Sequence, residues 1–342
     1  MSIRSLVVAI GLFLIALPSL LVGEQYKVKT KLRLQGDSGW DYLSVDADSR
    51  ELYVTHGTEL QIVNLDSEQP VAKIAGMKRI HGVAVVKELN RGFVSDGSDN
   101  AVVIFDLKSH SIINKVTAGK NPDAILYDPS SKRIFAFNGS SNDVTAIDAA
   151  SAAVVGTIAL NGRPEFAVTD GKGNVYVNIE NRSELLQLDP QALKVKKTWS
   201  LAPCEEPSGL AFDGQSRRLF SVCSNRQMAV MDADSGKVVA TVPIGNGPDA
   251  VVYDADKKLV FSSNGADGTL TVVKQEGADK YTVLETVPTA KSARTMALDP
   301  KTHKIYLSAA ELGPIPPATS DNPHPRPPIV PGSFNILVVS TQ

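Results

Sequence analysis

Asp41, His81, Asp123, Glu165, Ser208, Asp249 and Arg294 recur at intervals of 40 to 45 residues. Each directly follows Trp40, Ile80, Pro122, Pro164, Pro207, Pro248 or Ala293, at the start of a short apolar run. If the chain brings these positions together, one ring carries four carboxylates, an imidazole, a hydroxyl and a guanidinium. Four neighbouring carboxylates repel and raise one another's pKa unless an arginine or a cation compensates. A Ca²⁺-like divalent cation suits oxygen ligands, so Asp41, Asp123, Glu165 and Asp249 are candidate metal ligands. His81 beside a carboxylate is a candidate general base, and all seven residues are candidate ligand-binding groups. A plainer alternative stands beside this chemistry: Asp or Glu after Pro closes a turn and accepts backbone N–H bonds where a strand begins.

A repeat must position these residues. An aromatic centres a strand-like run at Tyr53, Phe93, Phe135, Tyr176, Phe220, Phe261 and Tyr306, at intervals of 40, 42, 41, 44, 41 and 45. An Asp ends an alternating run at Asp66, Asp106, Asp148, Asp189 and Asp232, with Lys274 and Ser340 in the last two copies. A third marker, Asp46, Asp128, Asp170, Asp213, Asp254 and Asp299, precedes the turn before the aromatic run, and Val86 is its one exception. One copy reads PDAVVYD, KLVFSSN, TLTVVK and KYTVLETVP, four short strands a to d with no useful helical period. The pattern predicts an all-β fold, a seven-bladed β-propeller of four-stranded antiparallel blades, because such a unit buries its faces only by stacking on its neighbours.

Ring closure follows from the ends. The segment KVKTKLRLQGDSGWDYLSVD aligns with KVVATVPIGNGPDAVVYD at 237–254, which makes 28–34 an outer d strand. It pairs with a last copy that lacks one, supplied by 295–298, 305–307 and 335–339. Residues 26–342 are therefore expected to be a single domain. In that ring the d-to-a and b-to-c loops share one face, where the seven residues surround a channel mouth. The b-to-c loops also offer His56, Asp96, Asn225 and Arg226, most of which turn chemistry explains. In the last blade this loop grows into a Pro-rich insertion, 309–333, with eight prolines. A stiff, extended segment of this kind is a candidate lid that carries His324 and Arg326 toward the ring, a docking strip for another protein, or a solvated insertion.

The repeats resemble those of the YVTN β-propeller family, YncE-like proteins included, in ELYVTHG, FAFNGSSNDVTAID, NVYVNIENRSELLQLD and SGKVVATVPIGNGPDAVVYD. The resemblance covers about residues 26–342 and rests on strand and turn residues that build a blade in any member, so it speaks for fold more than for function. It implies an exported protein that acts as a non-catalytic binding platform, and DNA binding has been attributed to YncE-like members. The expected function is accordingly an exported binding or protein-interaction platform that engages a small molecule or protein partner at the channel mouth. A cation-dependent hydrolase or lyase at the same mouth is the alternative, and DNA binding the third reading.

Composition narrows the rest. Of 342 residues, 43% are hydrophobic, and 37 acidic residues against 35 basic ones leave no global field for nucleic acid or anionic lipid. Lys27, Lys29, Lys31 and Arg33, and Lys194, Lys196 and Lys197, fall on outermost strands, where lysine guards an edge against pairing. Residues 1–25 read as a secretory signal peptide, placing the domain in the periplasm or outside the cell, or as an uncleaved membrane anchor with the domain facing outward. In such a compartment Cys204 and Cys223, which precede strand a and end strand b of one blade, are expected to form a disulfide. No haem-attachment string, phosphate loop, dinucleotide fingerprint or recognised catalytic motif occurs, and a monomer is expected.

Overall fold

The computed structural model describes residues 25–36, 38–319, 323 and 325–341. Residues 1–24 of the expected leader and His324 of the insertion lie outside them. Seven four-stranded antiparallel sheets follow one another around an axis. Blade 3 shows the unit: strand a is Pro122–Asp128, b is Arg133–Asn138, c is Asp143–Asp148 and d is Val154–Ala159, bonded in that order. Among the described residues no helix is long and apolar enough to cross a membrane.

The a-to-b turns are made by the repeated Asp. Asp46 accepts the N–H of Asp48 at 3.0 Å, Asp213 that of Gln215 at 2.9 Å, and Asp299 that of Lys301 at 3.0 Å, each a side-chain mimic of a backbone turn. In blade 2 the residue is Val86, which cannot accept such a bond, and the chain makes a 3₁₀ turn at Lys87–Leu89 instead.

The ring closes as the repeat alignment implies. Lys27–Arg33 pairs antiparallel with Asn335–Ser340 in the order d, c, b, a, so one blade is built from both ends of the domain. Its strand a is the short Met296–Asp299. The core is divided in the same way: the buried apolar residues of the described chain form seven clusters, one for each contact between adjacent blades. Every repeat aromatic lies fully buried in the contact with the next blade; Phe135 of blade 3, for example, packs with Val177 and Leu188 of blade 4. Full burial of one such ring contributes roughly 2–3 kcal/mol, so these side chains hold the blades at a fixed angle around the axis. The basic residues are on outer d strands, where Lys196 Nζ donates to Asn174 Oδ1 at 2.7 Å and Lys197 sits 5.3 Å over the Trp199 ring.

Candidate functional site

Six of the seven ring positions share one backbone device. In blades 1 to 6 the pairing of strands a and b shifts register across the ring residue, between Trp40 and Leu43, Ile80 and Val83, Pro122 and Ile125, Pro164 and Ala167, Pro207 and Leu210, and Pro248 and Val251. A bulge of this kind leaves a residue out of the ladder and re-aims its side chain. Buried polar groups on strand b then lock the freed backbone. Thr55 Oγ1 donates to Tyr42 O of its own blade (2.9 Å) and to His81 O of the next (3.1 Å). Ser95 reaches Asp123 O, Asn178 Nδ2 reaches Ser208 O at 2.9 Å, and Ser263 reaches Arg294 O. Blades 1, 2, 4 and 6 thus fix the ring residue of the next blade. These groups stand two residues after the repeat aromatic, a signal in the sequence that turn-based reading passes over.

Five ring residues on consecutive blades form a chain of alternating charge: Asp249, Arg294, Asp41, His81, Asp123. Arg294 Nη1 pairs with Asp249 Oδ2, and its Nη2 lies 3.6 Å from Asp41 Oδ1 and donates to Trp40 O at 3.1 Å. His81 Nδ1 is 2.6 Å from Asp41 Oδ2 and 3.5 Å from Asp123 Oδ1. Glu165 and Ser208, on blades 4 and 5, stand outside this chain; Ser208 Oγ donates to Pro248 O at 3.1 Å. Asp41, His81 and Asp123 bring one ligand atom each within 4.8 Å of one another, a spacing a metal ion could bridge. Asp249 and Glu165 are not in that group.

Burial dominates the ionisation of the ring. It raises Asp123 to about 6, with the His81 charge pulling down and Asp41 and Asp249 pushing up. Burial likewise pushes Glu165 well above the usual range, helped by Asp123, and raises Asp249 in spite of Arg294. For His81, only 3% exposed, burial opposes the imidazolium, but the Asp41 hydrogen bond and the Asp123 charge outweigh it and lift the pKa. The Nε2 of His81 is buried with no partner among the described residues.

The Pro-rich insertion folds back over this mouth. Its two arms meet at Leu312 and Ile329, with Gly313 N donating to Pro328 O (2.8 Å) and Val330 N to Glu311 O (2.9 Å). It is therefore not extended throughout, and its foot is seated where Phe334 packs on Trp40 and stacks on His56. Beneath it lies a cavity of about 510 Å³ whose walls include Trp40, Asp41, His81 and Arg294 from the rim and Leu312 and Arg326 from the insertion. Arg79, which the ring alignment left out, also lines it. On the axis Tyr42 and Phe166, each the residue after a ring position, meet from blades 1 and 4 with centroids 4.7 Å apart. They close the upper end of a second cavity of about 430 Å³ that runs down the a strands past Phe212, Tyr253 and Met296. Cys204 and Cys223 are disulfide-bonded, with Cα atoms 5.6 Å apart, tying the upper edge of blade 5. Of the b-to-c loop residues, Asp96 accepts the N–H of Lys78 and Arg79, and Asn225 Nδ2 donates to Pro203 O at 2.8 Å, so both hold backbone.

No family model matches the chain, and no curated protein matches its sequence. Solved structures do. The Kuenenia stuttgartiensis hydrazine synthase structure aligns at 14% identity and a TM-score of 0.69, covering 80% of this chain and 94% of that one. The WD40 repeats of RRP9 align at 9% identity and 0.76, covering 92% and 100%. This chain has the fold of a seven-bladed β-propeller. A chain of a mitotic checkpoint complex is also similar, at 14% identity and 0.73, with 99% of both chains covered. At these identities the likeness is one of fold.

Proposed function

We propose that this propeller is an exported binding and protein-interaction platform of the YVTN-repeat, YncE-like kind that engages its ligand or partner at the channel mouth. The observation that carries the reading is the roofed cavity: the Pro-rich insertion and the most polar ring residues of blades 1, 2 and 7 line one space. A cavity of this size with apolar walls and few convergent polar groups suits a small ligand or a partner's side chains. The presence of a similar chain in a mitotic checkpoint complex supports a platform role, since that propeller works inside an assembly. The apolar leader and the Cys204–Cys223 disulfide support export to an oxidising compartment.

The test replaces residues 312–330 with a short Gly-Ser link, which the paired arms of the insertion allow. Pull-downs and a metabolite thermal-shift screen on both proteins are expected to lose partners or ligands in the shortened one. An unchanged binding profile overturns the reading. A cation-dependent hydrolase or lyase is the second reading, favoured by the closeness of Asp41, His81 and Asp123. Stoichiometric metal in purified protein, lost on Asp123→Ala, would support it; the positive charge that Arg294 and a protonated His81 already supply competes with such an ion. DNA binding would need a salt-dependent shift abolished by charge reversal at Lys29 and Lys31.

A further inference from the structure

The cavity's charge is the reverse of what an acidic ring suggests. Among its described lining residues, Arg79, Arg294 and Arg326 face one carboxylate, Asp41, a surplus of two positive charges before His81 is considered. Asp41 is already engaged by His81 and Arg294, and Arg294 by Asp249. The surplus therefore resides on Arg79 and Arg326: neither guanidinium has a hydrogen bond or close ion pair among the described residues, and the Arg79 charge reaches Asp123 only at longer range.

Both side chains are presented by constrained backbone. The N–H of Arg79 bonds the buried Asp96 carboxylate at 3.2 Å, and its carbonyl accepts Gly97 N at 2.7 Å. Arg326 stands between Pro325 and Pro327, whose rings lock φ and leave less backbone freedom to lose on binding. Trp40, Ile80 and Ile329 supply apolar wall beside the charges. A guanidinium presents paired N–H donors that match the two oxygens of a carboxylate or phosphate.

We propose that the mouth cavity binds a small organic dianion, a dicarboxylate or a phosphate monoester, with its oxyanions on Arg79 and Arg326 and its carbon body against the Trp40 wall. This rests on the mouth being the binding site and names the class of ligand it takes. Inorganic ions of the same charge leave the apolar wall unused and are expected to bind less tightly.

The experiment is isothermal titration calorimetry of the full chain with succinate, glycerol 3-phosphate, inorganic phosphate, uncharged succinamide and an Asp-rich peptide, at low and high salt. Succinate or glycerol 3-phosphate is expected to bind and to weaken with salt, and which of the two binds more tightly identifies the oxyanion. Arg79→Gln and Arg326→Gln, both at exposed positions, are each expected to weaken binding about tenfold, the loss of a charge-assisted hydrogen bond. The double variant is expected to weaken binding about a hundredfold while its thermal melt stays unchanged. Succinamide binding as tightly as succinate, the peptide binding while neither small dianion does, or wild-type affinity in the double variant overturns the proposal. If no dianion binds while the partner lost on shortening the insertion still does, the ligand class falls and the platform stands. If shortening the insertion changes nothing, the platform reading falls.

Discussion

Arg294 is the ring residue whose removal is most informative, because it links three blades at once. Its guanidinium pairs with Asp249 of blade 6, approaches Asp41 of blade 1 and donates to Trp40 O, while its own backbone begins blade 7. At the observed 3.6 Å, the Asp41 attraction alone amounts to ~5 kcal/mol with an effective dielectric constant near 20. The Arg294 side chain is 40% exposed, so screening reduces this. Asp249 is only 17% exposed, and leaving its charge without a partner is the larger effect. Arg294→Met is therefore expected to cost about 3 kcal/mol at neutral pH, the lower end for breaking a buried pair by removing one partner. Adding Asp249→Asn removes the stranded charge and is expected to restore about half of that, a double-mutant coupling of over 1 kcal/mol. The sign with pH is fixed by Asp249, whose folded-state pKa is already raised by burial. Its ionised form costs stability above that pKa, so the penalty of Arg294→Met fades as pH falls into the carboxylate range. Urea unfolding followed by fluorescence of Trp40 and Trp199 measures all three proteins. A loss below about 1 kcal/mol, or no rescue by Asp249→Asn, refutes the argument that the ring is held by charge alternation.

Two further outcomes test the surroundings of the site. Raised folded-state values for Asp123, to about 6, and for His81 both mean stability lost as pH rises from the ordinary carboxylate range through neutrality. The stability gain of Asp123→Asn over wild type is expected to grow with pH from near zero at about pH 4 to about 2 kcal/mol at pH 7, after allowing for the partner His81 loses. A flat difference across denaturation curves at those pH values refutes it. Gly209→Ala tests how closely the strands approach the axis: a Cβ there would lie 2.6 Å from Asp249 O and 2.9 Å from Ala250 Cα, both backbone atoms that cannot swing away. A loss of about 2–3 kcal/mol is expected in thermal or urea unfolding, and a neutral effect would show that the ring expands freely.

Much of this was legible in the residues. The seven aromatics near a 41-residue period place seven interfaces, because each ring must be buried and only the next blade can cover it. The repeated Asp places the turns, since its carboxylate replaces a backbone acceptor over two or three residues. The seven ring positions are found by alignment, since symmetry repeats them. Arg79 was missed because it precedes its ring residue by two positions, where the other blades carry Gly39, Asn121, Arg163, Glu206, Gly247 and Ser292 and so show no common chemistry. Thr55, Ser95, Asn178 and Ser263 read as ordinary strand residues until the bulged backbone they bind is seen.

Period, strand number, closure and face are properties of local pattern, and pattern repeats along the chain, so the sequence by itself determined the architecture. It also determined which residue types surround the mouth. Only the tertiary structure decided what those residues do to one another. A charge's partner around an axis is its neighbour in space, 40 or more residues away, or 254 away for Arg294 and Trp40 across the closure. The bulges set whether each side chain faces the axis, and the fold-back of the Pro-rich insertion sets which arginines join the cavity. That is why three of the four carboxylates in the alignment became, in three dimensions, part of a chain of alternating charge beneath a cationic mouth.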